Sequence, residues 1–188
     1  GEEIPRLSIM EKSYPGSIMV NPAGQRFSNE SQNYMAFQQE TFAKHTDENP
    51  LNPSWQIFDA NFRATYFVGP LYNSKFLPDW AVPKRYEEEG FFAKADSIAE
   101  LARKINVDAA GLQETVHKIN EYARTGHDPD CHRGESAYDR YYGDPRVTPN
   151  PCLGPINKPP YYAMKVDPGD FGTQGGMVIN ADAQVLHQ

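Results

Sequence analysis

Fourteen glycines are spread along the 188 residues, yet no two of them stand two positions apart. A dinucleotide-binding turn needs a G-x-G opening, so that backbone can approach a pyrophosphate at a helix N-terminus. This chain therefore has no means of building such a turn. Two segments nevertheless look suited to a ligand of that kind. One is Asn21-Pro22-Ala23-Gly24-Gln25-Arg26-Phe27-Ser28-Asn29-Glu30-Ser31, near the start. The other is Pro168-Gly169-Asp170-Phe171-Gly172-Thr173-Gln174-Gly175-Gly176, near the end. The chain reads as ligand-facing ends without the element that would hold the ligand.

At this length one domain with a real core is the default. Charged residues make up 23% and hydrophobic ones 39%, an ordinary globular balance. No apolar run approaches the roughly 20 residues of a membrane span. No basic stretch followed by an apolar one opens the chain, so no secretory signal is expected, and a cytoplasmic protein is. The net charge of -7 leaves no basic surplus to neutralise phosphates, which argues against nucleic acid as a partner. The cysteines, Cys131 and Cys152, read as reduced thiols. His132 beside Cys131 resembles half a metal site, but no second ligand pair stands at zinc spacing, so no metal is expected. Aromatics cluster with prolines between Tyr138 and Tyr162, which signals ordered, packed loop rather than disorder.

Strands are expected at Ser17 to Val20, with Gln25 to Phe27 returning across the turn as a hairpin, and at Trp55 to Asp59, Phe91 to Ala95 and Tyr161 to Val166. Helices are expected over Asn33 to Lys44 and, shorter, over Asn61 to Tyr66. Asp96 or Ser97 caps a further helix bearing Ile98, Leu101, Ala102 and Ile105. Asp108 caps another, with Leu112, Val116, Ile119 and Tyr122 on one face and Gly126 as its stop. Gly69 to Pro83 and most of His127 to Pro160 read as loop. Met177 to Asn180 and Gln184 to Leu186 read as a terminal hairpin. Strands and helices intermix without βαβ regularity, so the expected class is α+β.

Taken in order, several segments resemble the flavoprotein family that holds 3-ketosteroid dehydrogenases and soluble fumarate reductases. They are Pro15 to Asn21, Arg26-Phe27-Ser28-Asn29-Glu30, Trp55 to Asp59, Lys94 to Ala102, Tyr138 to Pro145, Pro159 to Ala163 and Gly169 to Gly176. The resemblance implies FAD as cofactor and an FAD domain of the same polypeptide as partner. It implies that residues 29–165 form the substrate-binding cap that closes over the flavin. Residues 1–28 would be flanking strands returning from the FAD domain, and 166–188 the glycine-rich segment and hairpin leading back to it. The expected fold is a small antiparallel sheet with helices. On that reading the isolated chain is inactive, since redox chemistry belongs to the cofactor.

The two branches of the family need different chemistry. A fumarate reductase binds a dianion and needs cationic clamps. In that branch an arginine stands three residues after the Asn-Glu glutamate, where this chain has Asn33. A histidine stands just before Thr-x-Gly-Gly, where this chain has Gly172. The ketosteroid branch resembles the chain at both positions, which implies a small apolar ketone such as a steroid as substrate and a C=C bond formed next to that ketone. In that branch a tyrosine after Asn-Glu-Ser is catalytic, and Tyr34 is its counterpart. As a base, Tyr34 needs neighbouring donors, because a free phenol has a pKa of about 10. The alternative is packing against Phe27 or Phe37. Gly172, Thr173, Gly175 and Gly176 are implied cofactor contacts. Tyr161 and Tyr162 are substrate-binding candidates that point to opposite faces of a strand, so one lines a pocket and the other the core. Arg26 and Glu30 are expected to pair and fix the site structurally. A cofactor-free module binding an apolar ligand is the reading from a different class.

Overall fold

In a computed structural model, residues 8–169 and 176–186 are described. Four strands form one sheet in the order β1-β2-β4-β3, and every pairing is antiparallel. They are β1 (Ser17–Val20), β2 (Ser54–Asp59), β3 (Phe92–Ala95) and β4 (Tyr161–Val166). The helices are α1 (Tyr34–Lys44), α2 (Ala60–Thr65), α3 (Arg85–Glu88), α4 (Ile98–Lys104), α5 (Ala109–Thr125) and α6 (Ala137–Tyr141). The architecture is α+β.

Both faces of the sheet are covered, which is why β2 is buried at every position. On one side Ile18, Val20, Trp55, Ile57, Ala93, Ala95 and Ala163 meet Leu101 and Ala102 of α4 and Leu112, Val116 and Ile119 of α5. Ser97 caps α4 by accepting from the Glu100 amide, and Asp108 caps α5 by accepting from the Gly111 amide. Gly126 ends α5 in the left-handed region at φ 79°. On the other side Phe58, Phe62, Phe92, Tyr162 and Met164 form an aromatic cluster with Val68 and Leu71. Gln56 lies buried in β2, with its amide donating to the Glu11 carbonyl at 3.2 Å and to Ser17 Oγ at 3.1 Å. A third cluster joins Met19, Phe27 and Leu51 to Phe37 of α1.

The turn after β1 forms as its residues suggest, with the Gly24 and Gln25 amides bonded to Asn21. The return strand does not: Arg26 makes a single bridge to Val20. The free edge of β1 is satisfied by side chains instead. Glu30 Oε1 accepts from the Met19 amide at 3.1 Å, and Arg133 Nη1 donates to the Ser17 carbonyl at 2.7 Å. Glu30 stands only four residues after Arg26, so the chain must turn away to deliver its carboxylate, and no strand fits there. The stretch 127–160, read as loop, contains α6. β1 lies on the N-terminal side of residue 28 and pairs along its full length with β2, within 29–165. The terminal hairpin closes through Ile179 and Val185.

Gly24 seats that turn on α5. It has φ 73°, and a Cβ there would lie 2.3 Å from the Leu112 amide nitrogen. Gly90 has φ 74° with nothing within 4 Å. Both positions penalise alanine through backbone strain, but only Gly24 adds a backbone clash. Gly24→Ala should therefore destabilise the protein by about 1–3 kcal/mol more than Gly90→Ala. Urea unfolding followed by the fluorescence of buried Trp55 measures the difference.

Candidate functional site: a tyrosine cluster over a buried ion network

Glu30 is fully buried. Its carboxylate accepts from Arg26 Nε at 2.8 Å, Arg26 Nη2 at 2.7 Å, Arg133 Nη1 at 3.3 Å and the Met19 amide. Arg26 Nη2 also reaches Asp128 Oδ2 at 2.9 Å. Arg133, equally buried, donates further to Ser31 Oγ at 3.0 Å and to the carbonyls of Lys12 and Tyr14. Lys12 Nζ donates to the carbonyls of Glu30 at 2.8 Å and Gln32 at 2.7 Å. Burial alone would raise the Glu30 pKa, but the Arg26 and Arg133 charges outweigh it and hold the carboxyl down at about 2. Lys12 moves to about 8, chiefly through burial and then through Arg133. The arrangement is a scaffold.

Asn29 carries the scaffold to α6. Its Nδ2 donates to Asp139 Oδ2 at 2.9 Å, and Asp139 also accepts from the Gly134 amide at 2.9 Å and Ser136 Oγ at 2.7 Å. Ser136 in turn caps α6 by accepting from the Asp139 amide. Four residues beyond Asn29, Asn33 caps α1: its Oδ1 accepts from the Met35 amide at 2.8 Å. Its Nδ2 lies 3.5 Å from the Tyr138 hydroxyl. Tyr34, the first residue of α1, is half-buried. Tyr138, Tyr142 and Tyr141 form edge-on ring contacts, at 5.5 Å for the first pair and 5.0 Å for the second. Burial is the largest cause raising the Tyr138 pKa, followed by Tyr142, with Tyr34 contributing.

The remaining candidates separate. Tyr162 is the core member of its pair: its ring stacks on Phe58 and Phe92, and its hydroxyl donates to Asp79 Oδ2 at 2.7 Å. Burial, and then the bond to Asp79, raises its pKa far above the ordinary tyrosine value. It presents no face to a ligand here. Tyr161 is half-buried against the helical side of the core. Gly172, Thr173 and Gly175 lie outside the described residues, whereas Gly176 is exposed. The thiols are free, and burial pushes Cys131 up to about 12. Among the described residues no group of His, Cys, Asp or Glu is placed to hold a metal, and no helix is long and apolar enough to cross a membrane. Sequence reasoning missed Lys12, Asp128, Arg133 and Asp139 as members of the network. Arg133 meets Glu30 across 103 positions, and no local pattern marks such a partner.

The family described as FAD binding domain matches residues 7–188, and the chain belongs to it. FAD is that family's cofactor. The chain is 41% identical over 186 residues to a 3-oxosteroid 1-dehydrogenase of Mycobacterium tuberculosis, covering 97% of this chain and 32% of that protein. It is 39% identical over 189 residues to a 4-oxocyclohexanecarboxylate 2-dehydrogenase of Sinomonas cyclohexanicum, covering 99% of this chain and 31% of that protein. Among solved structures it matches a 3-ketosteroid delta1-dehydrogenase from Sterolibacterium denitrificans with TM-score 0.88 and 42% identity, over 97% of this chain and 34% of that one. A flavocytochrome c3 fumarate reductase matches with TM-score 0.60 and 26% identity, over 96% of this chain and 26% of that one. The chain thus spans about a third of the length of these curated relatives. There is no G-x-G turn, while open space surrounds the Cβ positions of Gly169 and Gly176, at either end of the glycine-rich segment.

Removing one partner from a buried ion network leaves uncompensated charge, so Glu30→Ala should cost about 3–5 kcal/mol. The pH dependence has a definite sign. The folded-state pKa of Glu30 is depressed, so its contribution is full above the ordinary value of 4.5 and is lost as pH falls toward about 2. Acid unfolding of the wild type should show this loss and Glu30→Gln should lack it, as followed by circular dichroism.

Proposed function

We propose that this chain is the substrate-binding cap of an FAD-dependent dehydrogenase that forms a C=C bond next to a ring ketone, with a 3-ketosteroid as substrate. The observation that carries the reading is the neutral amide of Asn33 beside Tyr34. A dicarboxylate substrate needs cations at hand. Here Asn33 is engaged in capping α1 and holding Tyr138, and Lys12 and Arg133 lie buried beneath with their donors on carbonyls, Ser31 and Glu30. Asn33, the residue before Tyr34, and Tyr138, whose hydroxyl Asn33 reaches, are uncharged groups, which suits a neutral ring. The relatives named for 3-oxosteroids and for 4-oxocyclohexanecarboxylate support a ring ketone as the common substrate element.

In this reading Tyr34 takes the proton from the carbon next to the ketone. When bound, FAD supplies the acceptor for the hydride from the neighbouring carbon. A phenol is a competent base only where donors stabilise its anion, and the N-terminus of α1 aims partial positive charge toward Tyr34. Further donors would come from the FAD domain of the same polypeptide. Gly172, Thr173, Gly175 and Gly176 are proposed to face the flavin, and Tyr161 to face substrate. Residues 29–165 form the cap, while 1–28 and 166–188 lead to the FAD domain. A surface for that domain is supported by the terminal hairpin, where Met177, Val178, Ile179, Val185 and Leu186 are all exposed.

The test uses the whole protein, mixed without oxygen with 4-androstene-3,17-dione. The yellow flavin absorbance should bleach, and Tyr34→Phe should slow bleaching by about 10²–10⁴-fold. A bound flavin that the steroid leaves oxidised would remove the ketosteroid assignment. Absence of flavin would favour a cofactor-free binding module.

A further inference from the structure

We infer that Lys12 is a positioning residue for Tyr34, its buried ammonium clamping the chain on both sides of that tyrosine so that the start of α1 keeps one position. The inference rests on the proposed role of Tyr34 as the base. Three observations carry it.

The first is where the ammonium is attached. Lys12 Nζ donates to the Gln32 carbonyl at 2.7 Å, two residues before Tyr34, and to the Glu30 carbonyl at 2.8 Å. It also lies 5.0 Å from the ring centroid of Phe37, three residues after Tyr34 in α1. Residues three apart on a helix are neighbours, so a hold on Phe37 is a hold on the turn that carries Tyr34. One cation thus grips both the segment leading into the helix and the helix itself.

The second is what holds Lys12. It sits in a one-turn 3-10 helix, Glu11–Ser13, shortly before β1. Arg133 Nη2 donates to the Lys12 carbonyl at 3.2 Å, and Gln56 of β2 donates to the neighbouring Glu11 carbonyl at 3.2 Å. Glu11 Oε2 accepts from the amides of Ile9 at 3.0 Å and Met10 at 3.1 Å, which closes the turn before it. The base of the lysine is therefore tied to the sheet and to the buried ion network. Its ammonium sets the start of α1 relative to the core rather than to a loop.

The third is that the fold has little need of the charge. Burial, and then Arg133, push the Lys12 pKa down to about 8, against the pull of Glu30, Asp139 and Glu11. An amine whose pKa is lowered by folding is less favourably charged in the folded chain than in the unfolded one. The carbonyls it serves have other recourse. That of Glu30 also accepts from Ser13 Oγ at 3.3 Å, and the bond to Gln32 is only partly buried. What the charge does supply is two short, directed bonds to chosen carbonyls, stronger than a neutral donor would make. An uncharged side chain of similar shape would fill the same space without that hold.

The test is a double-mutant cycle in the whole flavoenzyme, read by single-turnover flavin bleaching and steady-state kinetics with 4-androstene-3,17-dione. Lys12→Met keeps an unbranched stem and removes the ammonium. It should retain flavin, leave the urea midpoint unchanged or raised, and leave KM little changed. The bleaching rate and kcat should fall by on the order of tenfold or more, since a small displacement of a reacting group slows the chemistry steeply. In a Tyr34→Phe background the same substitution should have no further effect, because Lys12 acts through Tyr34. An unchanged rate for Lys12→Met, or an equal loss in both backgrounds, would overturn the positioning role while leaving Tyr34 as the base. If Lys12→Met does not fold, Phe37→Leu takes its place in the cycle. It keeps an apolar side chain against Met19 and Leu51 but removes the ring face, and should slow bleaching about threefold in the wild-type background only. No loss, or the same loss beside Tyr34→Phe, would again overturn the role. A wild-type protein that the steroid does not reduce, or a Tyr34→Phe variant reduced as fast as wild type, would overturn both the clamp and the reading beneath it.

Discussion

The bidentate bond between Arg26 and Glu30 is the constraint on which the rest depends. A carboxylate with no solvent exposure is tolerated only if charge and hydrogen bonds replace its lost hydration. Glu30 obtains both, from two arginines and a backbone amide. Meeting that demand shapes its surroundings. It ends the hairpin at Arg26, seals the free edge of β1, and draws residues 128–133 against the start of the chain through Asp128 and Arg133. The sheet and the long loop are joined by electrostatics where no strand pairing joins them.

The neighbouring Asn29 extends the same logic to the candidate site. One residue before the buried carboxylate, it reaches Asp139 and fixes α6; a few residues later, Asn33 starts α1. Two helices distant in sequence, α1 and α6, thus meet where Asn33 Nδ2 lies 3.5 Å from the Tyr138 hydroxyl. Chemistry that moves a proton needs hydroxyls fixed to within a few tenths of an ångström. A charged foundation beneath and a neutral, phenolic surface above supply rigidity without attracting an anion. The chain is similar to both 3-oxosteroid dehydrogenases and a fumarate reductase, and the neutral Asn33 above the buried charges is the feature on which the proposed preference for a ring ketone rests.

Much of the fold could be read locally. The apolar spacing of Leu112, Val116 and Ile119 between Asp108 and Gly126 defined α5, because helix periodicity and its caps are properties of consecutive residues. The strands of the sheet were legible for the same reason. α6 was not: five residues carry too little periodicity, and its stability comes from the Ser136 cap and from Asp139, whose partner is 110 positions away. The return strand at Gln25 to Phe27 was over-read, since turn residues signal reversal but not whether the edge beyond is taken by backbone or by a side chain.

The sequence by itself determined the α+β class, the principal helices and strands, the family, the lack of a diphosphate-binding turn, and the identity of Asn33 and Tyr34. Each follows from residues close together or from a motif in fixed order. Only the tertiary structure decided that Tyr162 is core, that Arg133 completes the shell around Glu30, and that Tyr138 stands over Asn33. A side chain's direction and its distant partner are set by how the whole chain satisfies its buried charges. That is a global condition, and no window of sequence contains it.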